Sequence, residues 1–345
     1  MRGGEYEVSG SCTLDVLSGG VATMIGSLPH RDVREAAEFS LTACPDLPCV
    51  PTVPRRSPAE GMIAQAVVGI RGISLGQYGS LLVDTSLVDP LATVRTDTNN
   101  DSFGGLRSFL ALMSDHSGPI KWQFTGPVTV GQALMRLGVP AHLAFDVAVR
   151  TVRHHVRVVA DVIGSALPGC PQVVVLDEPD LGDLFDESFP IAPDTAIDLM
   201  SGALAVVERD ALVGLHSCAD VSLSPLLAAG PQILSVPVSD RIGESAVELS
   251  RFVNSGGWVA WGVVPTDGPI GTTSERWWKK LTSVWCTLTE AGCDPLKLRR
   301  QALVTPVCGL ALHSHDSAAI IMRHVAEVGE RVRAQALSAR FSVGA

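Results

Sequence analysis

The sequence predicts an α/β protein folded as a single (β/α)8 barrel of the TIM type, on three observations. Short apolar runs alternate with longer helix-period segments from one end to the other, as in a parallel sheet with crossover helices. Eight such runs can be counted. Most of them end on residues that stop a strand or carry chemistry, as expected where eight strands deliver their C-terminal ends to one mouth.

The expected strands are Val21–Ile25, Cys49–Val53, Ile120–Phe124, Val173–Leu176, Leu212–Leu215, Ile233–Val236, Trp258–Val263 and Leu303–Thr305. The stretches Phe145–Ala166, Thr195–Glu208, Glu244–Asn254, Arg276–Ala291 and Ser317–Leu337 carry apolar residues at helical spacing, which predicts amphipathic helices laid over the sheet. Gly61–Asp115 shows neither period clearly and is expected to hold a hairpin or an extra loop. There is no internal repeat and no linker, so residues 1–19 read as an N-terminal extension and 20–345 as the barrel.

Composition narrows the class of protein. Hydrophobic residues make up 46% and charged residues 18% of the 345, with a mean hydropathy of +0.28, consistent with strands buried on both faces. No apolar run reaches the roughly 18 residues a membrane span needs. The opening MRGGEYEVSG lacks the basic-then-apolar order of a signal peptide, so the expectation is a cytoplasmic protein without a membrane partner. A net charge of −10 with no basic stripe argues against nucleic acid. Eight scattered cysteines suggest thiols, a few of them metal-bound, rather than a disulfide framework.

The candidate site residues sit at the strand ends. In His216-Ser217-Cys218, the first and third residues share a strand face, so imidazole and thiol can converge. Zinc accepts such a nitrogen and sulfur pair. Cys308, in Thr305-Pro306-Val307-Cys308-Gly309, follows the last expected strand and would face the same central space. Three such ligands leave one position open, the arrangement of a catalytic metal; Asp240 is a candidate for the fourth. Asp177-Glu178-Pro179 ends the most apolar strand, and successive residues point to opposite faces, so only one carboxylate can look into the barrel. It would hold an ammonium group or a proton, or else cap a helix. Gly26-Ser27-Leu28-Pro29-His30 follows the first strand; glycine permits close backbone approach, and Ser27 with free backbone N–H groups could bind a carboxylate, although an ordinary turn explains them too. Thr125-Gly126-Pro127 reads as a tight turn. His154-His155 lies in a helical pattern, and Trp277-Trp278 reads as core packing with a partner or lid contact. No phosphate-binding glycine loop is present.

Five segments, taken in order, resemble the C-terminal barrel of cobalamin-independent methionine synthases, in the superfamily that includes uroporphyrinogen decarboxylase-like barrels. They are Thr23–Pro29, Thr125–Thr129, Leu176–Pro179, His216–Cys218 and Pro306–Leu310, and the similarity runs from about residue 20 to 335. The resemblance implies zinc held by His216, Cys218 and Cys308, and methyl transfer to a small-molecule thiol, homocysteine in the family. The methyl donor would be a folate or a methyl-carrying protein. It further implies that Asp177 takes the substrate ammonium group and Ile25, Gly26 and Ser27 its carboxylate.

Three places depart from the family pattern. The zinc-ligand Glu expected after the sixth strand is missing from Leu234–Asp240, the family's His near the seventh strand end falls near Asp267, and Glu60 stands out of register for an acidic substrate-binding residue. The competing readings are a metal-free decarboxylase-like lyase built around Asp177 and a barrel without catalysis.

Overall fold

The computed structural model describes residues 13–182, 184–219 and 221–342. Residues 1–12, most of the expected extension, lie outside the described residues. In the first half, β1 (Val21–Ala22), α1 (Val33–Ala43) and α2 (Met62–Val67) precede a hairpin of β2 (Ile73–Leu75) and β3 (Leu81–Val83). Then come α3 (Gly104–Leu112), β4 (Ile120–Thr125), α4 (Pro127–Arg136) and α5 (Ala141–Ala166). Strand–helix alternation continues with β5 (Gln172–Asp177), α6 (Pro193–Leu204), β6 (Ala211–His216), α7 (Leu223–Ala228) and β7 (Ile233–Pro237). The chain ends with α8 (Ala246–Asn254), β8 (Trp258–Val264), α9 (Glu275–Glu290), α10 (Pro295–Arg300), β9 (Ala302–Pro306) and α11 (His315–Ser342).

Seven strands form one parallel sheet in the order β1-β9-β8-β7-β6-β5-β4, and β2 and β3 pair antiparallel apart from it. One short segment touches both edges of the large sheet. Val50 N donates to Lys121 O of β4 (2.8 Å) and Lys121 N to Pro48 O (2.8 Å). On the other side, Thr52 N donates to Gly26 O (3.0 Å) and Leu28 N to Thr52 O (2.9 Å). The sheet is therefore curled, its two edges tied to the same few residues.

That segment corrects the expected strand Cys49–Val53, which survives only as two isolated bridges, Cys49 with Lys121 and Ser27 with Thr52. In a regular strand, the N–H groups of residues i and i+2 point to the same neighbour. Here those of Val50 and Thr52 go to opposite neighbours, so the chain rolls over at Pro51, which has no N–H to contribute. The observed architecture is thus a seven-stranded curled sheet. The uncertain Gly61–Asp115 region does hold a hairpin, β2–β3, along with α2 and α3.

The pleat sorts side chains between two layers. Val174 and Leu176 of β5 join the large apolar cluster between sheet and helices. Val173 and Val175 join a smaller interior cluster with Val21, Leu212, Ile233, Trp258 and Leu303. Leu17, from the expected extension, packs in that interior cluster too. Outside, α5 buries Phe145, Ala148, Val152, Val156, Val159 and Ile163, an apolar face at three- and four-residue spacing. Asp177 and His216 continue the interior rows of β5 and β6 beyond their apolar residues, which delivers both to the C-terminal end of the sheet.

Candidate active site

A cavity of about 270 Å³ opens at those C-terminal ends. Its wall includes Ile25, Gly26 and Ser27 after β1, Gln123 and Thr125 of β4, Asp177 of β5, His216 and Cys218 of β6, and Cys308 after β9. Every residue expected to ligate metal or bind substrate, Asp240 aside, lines this one space. A larger cavity of about 860 Å³ lies at the opposite rim, beside Val21, Pro119, Trp258 and Gln301 at or before the N-terminal ends of strands, away from the thiols.

Cys218 and Cys308, ninety residues apart in sequence, meet at 3.4 Å between sulfurs. Contact with Cys218 and then with His216 pulls Cys308 below the ordinary thiol range, while the same contact and burial push Cys218 up. His216 is only 3% exposed. Its Nδ1 hydrogen-bonds with Ser235 Oγ at 2.9 Å, while its buried Nε2, on the side of Cys308, makes no well-formed hydrogen bond to a described residue. An unpaired buried ring nitrogen is costly unless a ligand completes it.

The donor set suits a soft divalent metal, with two thiols and an imidazole oriented by a hydroxyl. At zinc–sulfur bonds of about 2.3 Å in tetrahedral geometry, two sulfurs stand about 3.8 Å apart, so this pair is a few tenths of an ångström too close. Among the described residues, no group of three or more His, Cys, Asp or Glu side chains closes to metal-holding geometry. Asp240 is not brought to the site. It begins a 3-10 turn, Asp240–Ser245, after β7 and does not line the cavity.

The two adjacent carboxylates separate as the pleat requires. Asp177 lines the cavity and accepts a hydrogen bond from Gln123 Nε2. Burial raises its pKa to about 6, against lowering by His216, Lys121 and Gln123. Glu178 turns to the other side and is fully buried. It accepts from Val128 N (2.9 Å), Thr129 N (2.7 Å) and Thr129 Oγ1 (2.6 Å), capping the first turn of α4. Gly126 is needed beside it, since a Cβ there would lie 2.2 Å from Glu178 Oε1. At the first strand end, Gly26 adopts φ +122°, open to glycine and strained for other residues.

Glu60 and Asp267 were named from the sequence, whereas Ser235, Lys121 and Gln123 were not legible as site residues. Glu60 does line the cavity, but its carboxylate is engaged by Arg56, Val53 N and Gly105 N. Ser235 stands in the segment where the family's Glu was expected and contacts His216 instead of a metal. Lys121 and Gln123 lie on the inward face of β4. Asp267 lines a neighbouring cavity of about 240 Å³ that shares Cys218 with the first. His155 is fully buried on α5, and Trp277 is buried on α9 with the Arg276 guanidinium over its ring at 3.8 Å.

No protein-family model and no curated protein matches the chain. Among solved structures, it is similar to a Listeria monocytogenes protein provisionally assigned as a vitamin-B12-independent methionine synthase. The match has 12% identity over 88% of this chain and 85% of that one, with a TM-score of 0.54. At that identity the likeness is one of fold. A 2,3-dimethylmalate lyase of the PEP mutase/isocitrate lyase superfamily aligns at 14% identity over 91% of this chain and 84% of that one. Its TM-score of 0.34 carries no argument. Among the described residues, no helix is long and apolar enough to cross a membrane.

Proposed function

We propose that the chain is a zinc-dependent methyltransferase that methylates the thiol of a small amino-acid-like substrate, in the manner of methionine synthases. On this reading Pro48–Thr52 completes the ring of a (β/α)8 barrel, and the site lies at its mouth. The observation that carries the proposal is the meeting of Cys218 and Cys308 at 3.4 Å, beside a buried His216 whose Nε2 makes no hydrogen bond to a described residue, in one cavity with Asp177.

His216, Cys218 and Cys308 would hold the metal. When bound, zinc supplies a Lewis acid that keeps a substrate thiol, otherwise only a few per cent ionised at neutral pH, as the thiolate nucleophile. The chain's own residues bind and orient the substrate. Asp177 takes the ammonium group, and Ser27 with the neighbouring backbone N–H groups takes the carboxylate. Ile25 and Val50 add apolar surface to the same cavity. The methyl donor, a folate or a methyl-carrying protein, would approach from the open side.

The test is zinc titration of the reduced protein in competition with a chromogenic chelator. One equivalent should bind to the wild type, and Cys308→Ser should abolish stoichiometric binding. No measurable uptake by the reduced wild type overturns the metal-dependent reading.

A further inference from the structure

Lys121 is a lysine inside the barrel, 2% exposed, and it belongs to none of the roles assigned above. A buried ammonium must satisfy three donors and has no acceptor to offer. Lys121 Nζ finds three acceptors: Met24 O at 2.7 Å, Cys49 Sγ at 3.8 Å and Gln123 Oε1. Gln123 stands two residues along β4 on the same inward face, and its Nε2 donates to Asp177 Oδ1. The ammonium can only donate and an ionised carboxylate can only accept, so both ends dictate the same orientation of the amide. Of the natural side chains, a carboxamide of this length joins them without placing like groups together. Asp177 Oδ2 accepts a hydrogen bond from no described residue, and Asp177 lines the cavity.

We propose that Lys121 and Gln123 form a positioning relay that holds Asp177 in place with one oxygen turned to the ligand, so that the pocket selects molecules bearing an ammonium group. The inference rests on the reading of Asp177 as the ammonium acceptor and adds two residues that act through it, Gln123 in the cavity wall and Lys121 behind Gln123. Lys121 anchors the amide from below. Gln123 fixes the rotamer of the carboxylate. Neither is one of the proposed metal ligands, so both variants should still take up zinc.

The experiment compares L-homocysteine with its deamino counterpart, 4-mercaptobutanoate, by calorimetry on the zinc-loaded wild type, Gln123→Leu and Lys121→Met. Removal of one member of a buried polar network is destabilising, and Lys121→Met leaves Met24 O and Gln123 Oε1 without their donor. Its folding is checked by circular dichroism, and Gln123→Leu decides the relay if Lys121→Met does not fold. Both variants should weaken homocysteine about tenfold, the loss of one charge-assisted contact, and leave the deamino ligand within about twofold. Equal weakening of both ligands, or of neither, overturns the relay. If the wild type binds neither ligand, the proposed substrate class fails, and the relay is then decided by a ligand-free crystal structure of Gln123→Leu. Rotation of Asp177 away from its present position supports it; an unmoved Asp177 overturns it.

Discussion

Truncation of Glu178 to alanine should cost the fold about 3–5 kcal/mol while leaving metal uptake intact. The carboxylate is fully buried and receives three hydrogen bonds at 2.6–2.9 Å from the first turn of α4. Hydrogen bonds to a charged group are each worth about 1.5–3 kcal/mol net, and the helix dipole adds roughly 0.3–2 kcal/mol at this end. Desolvation of the carboxylate works against them; the same burial raises its pKa to about 7. What remains after subtraction is about the 3–5 kcal/mol seen when a buried charged network loses one member. That is a large share of the roughly 5–15 kcal/mol by which folded proteins are stable. Glu178→Gln, which keeps one acceptor and sets an amide N–H against a backbone N–H, should cost less, about 1–3 kcal/mol. Urea unfolding followed by far-ultraviolet circular dichroism measures both, with zinc titration alongside. A loss below about 1 kcal/mol for Glu178→Ala, or a loss of zinc with the fold intact, would refute the assignment of Glu178 to architecture and Asp177 to the site.

Two further outcomes follow from buried groups. Burial, then the neighbouring His154, lowers His155 from 6.5 to about 4; the folded state thus binds its proton less readily than the unfolded chain, and the resulting stability is fully present above pH 6.5 and lost as pH falls toward 4. The loss is on the order of 3 kcal/mol, and His155→Gln should flatten that slope in unfolding curves taken across the range; an unchanged slope would assign the acid sensitivity elsewhere. Mild oxidation of the metal-free protein should join Cys218 to Cys308, since 3.4 Å is a short move from a disulfide bond of about 2.05 Å. Intact mass should fall by two hydrogens in the wild type and stay constant in Cys308→Ser, whereas a mixture of other pairings on peptide mapping would contradict the convergence of these two thiols.

The strands after residue 119 were legible because parallel strands buried on both faces read as apolar runs, and their ends were marked by Thr125-Gly126-Pro127, Asp177-Glu178-Pro179 and His216-Ser217-Cys218. Cys49–Val53 misled because its apolar content is right while Pro51 redirects its hydrogen bonds. Helix α3 begins Gly104-Gly105, two weak helix formers, and exists through packing against α1 that no local pattern announces. At the site, Asp177, His216, Cys218 and Cys308 stood out as polar residues at strand ends. Lys121 and Gln123 did not, because Ile120-Lys121-Trp122-Gln123-Phe124 alternates like a strand with one face in water. Here the helices cover the apolar face, with Trp122 and Phe124 in the outer cluster, and the polar face turns inward. Ser235 was hidden similarly, as a small polar residue within an apolar run.

The two carboxylates that end β5 both reach back to the preceding strand–helix unit, Asp177 to Gln123 of β4 and Glu178 to the start of α4. The metal-type donors come from elsewhere, His216 and Cys218 from the end of β6 and Cys308 from beyond β9. On the proposed reading, ligand recognition and thiolate chemistry would therefore be mounted on different parts of the curled sheet. The β4–β5 frame is stiffened by six paired residues in register, Ile120 with Gln172 through Thr125 with Asp177, whereas the two thiols rest on loops just past their strands. A rigid frame can hold a carboxylate to the fraction of an ångström that selecting an ammonium group demands. Thiols on loops can make the few-tenths adjustment that a shared metal requires of a 3.4 Å pair. The segment at β7 where the resemblance led us to expect a Glu supplies Ser235 instead, which contacts His216 Nδ1 from behind; on the proposed reading that would leave one coordination position to the substrate.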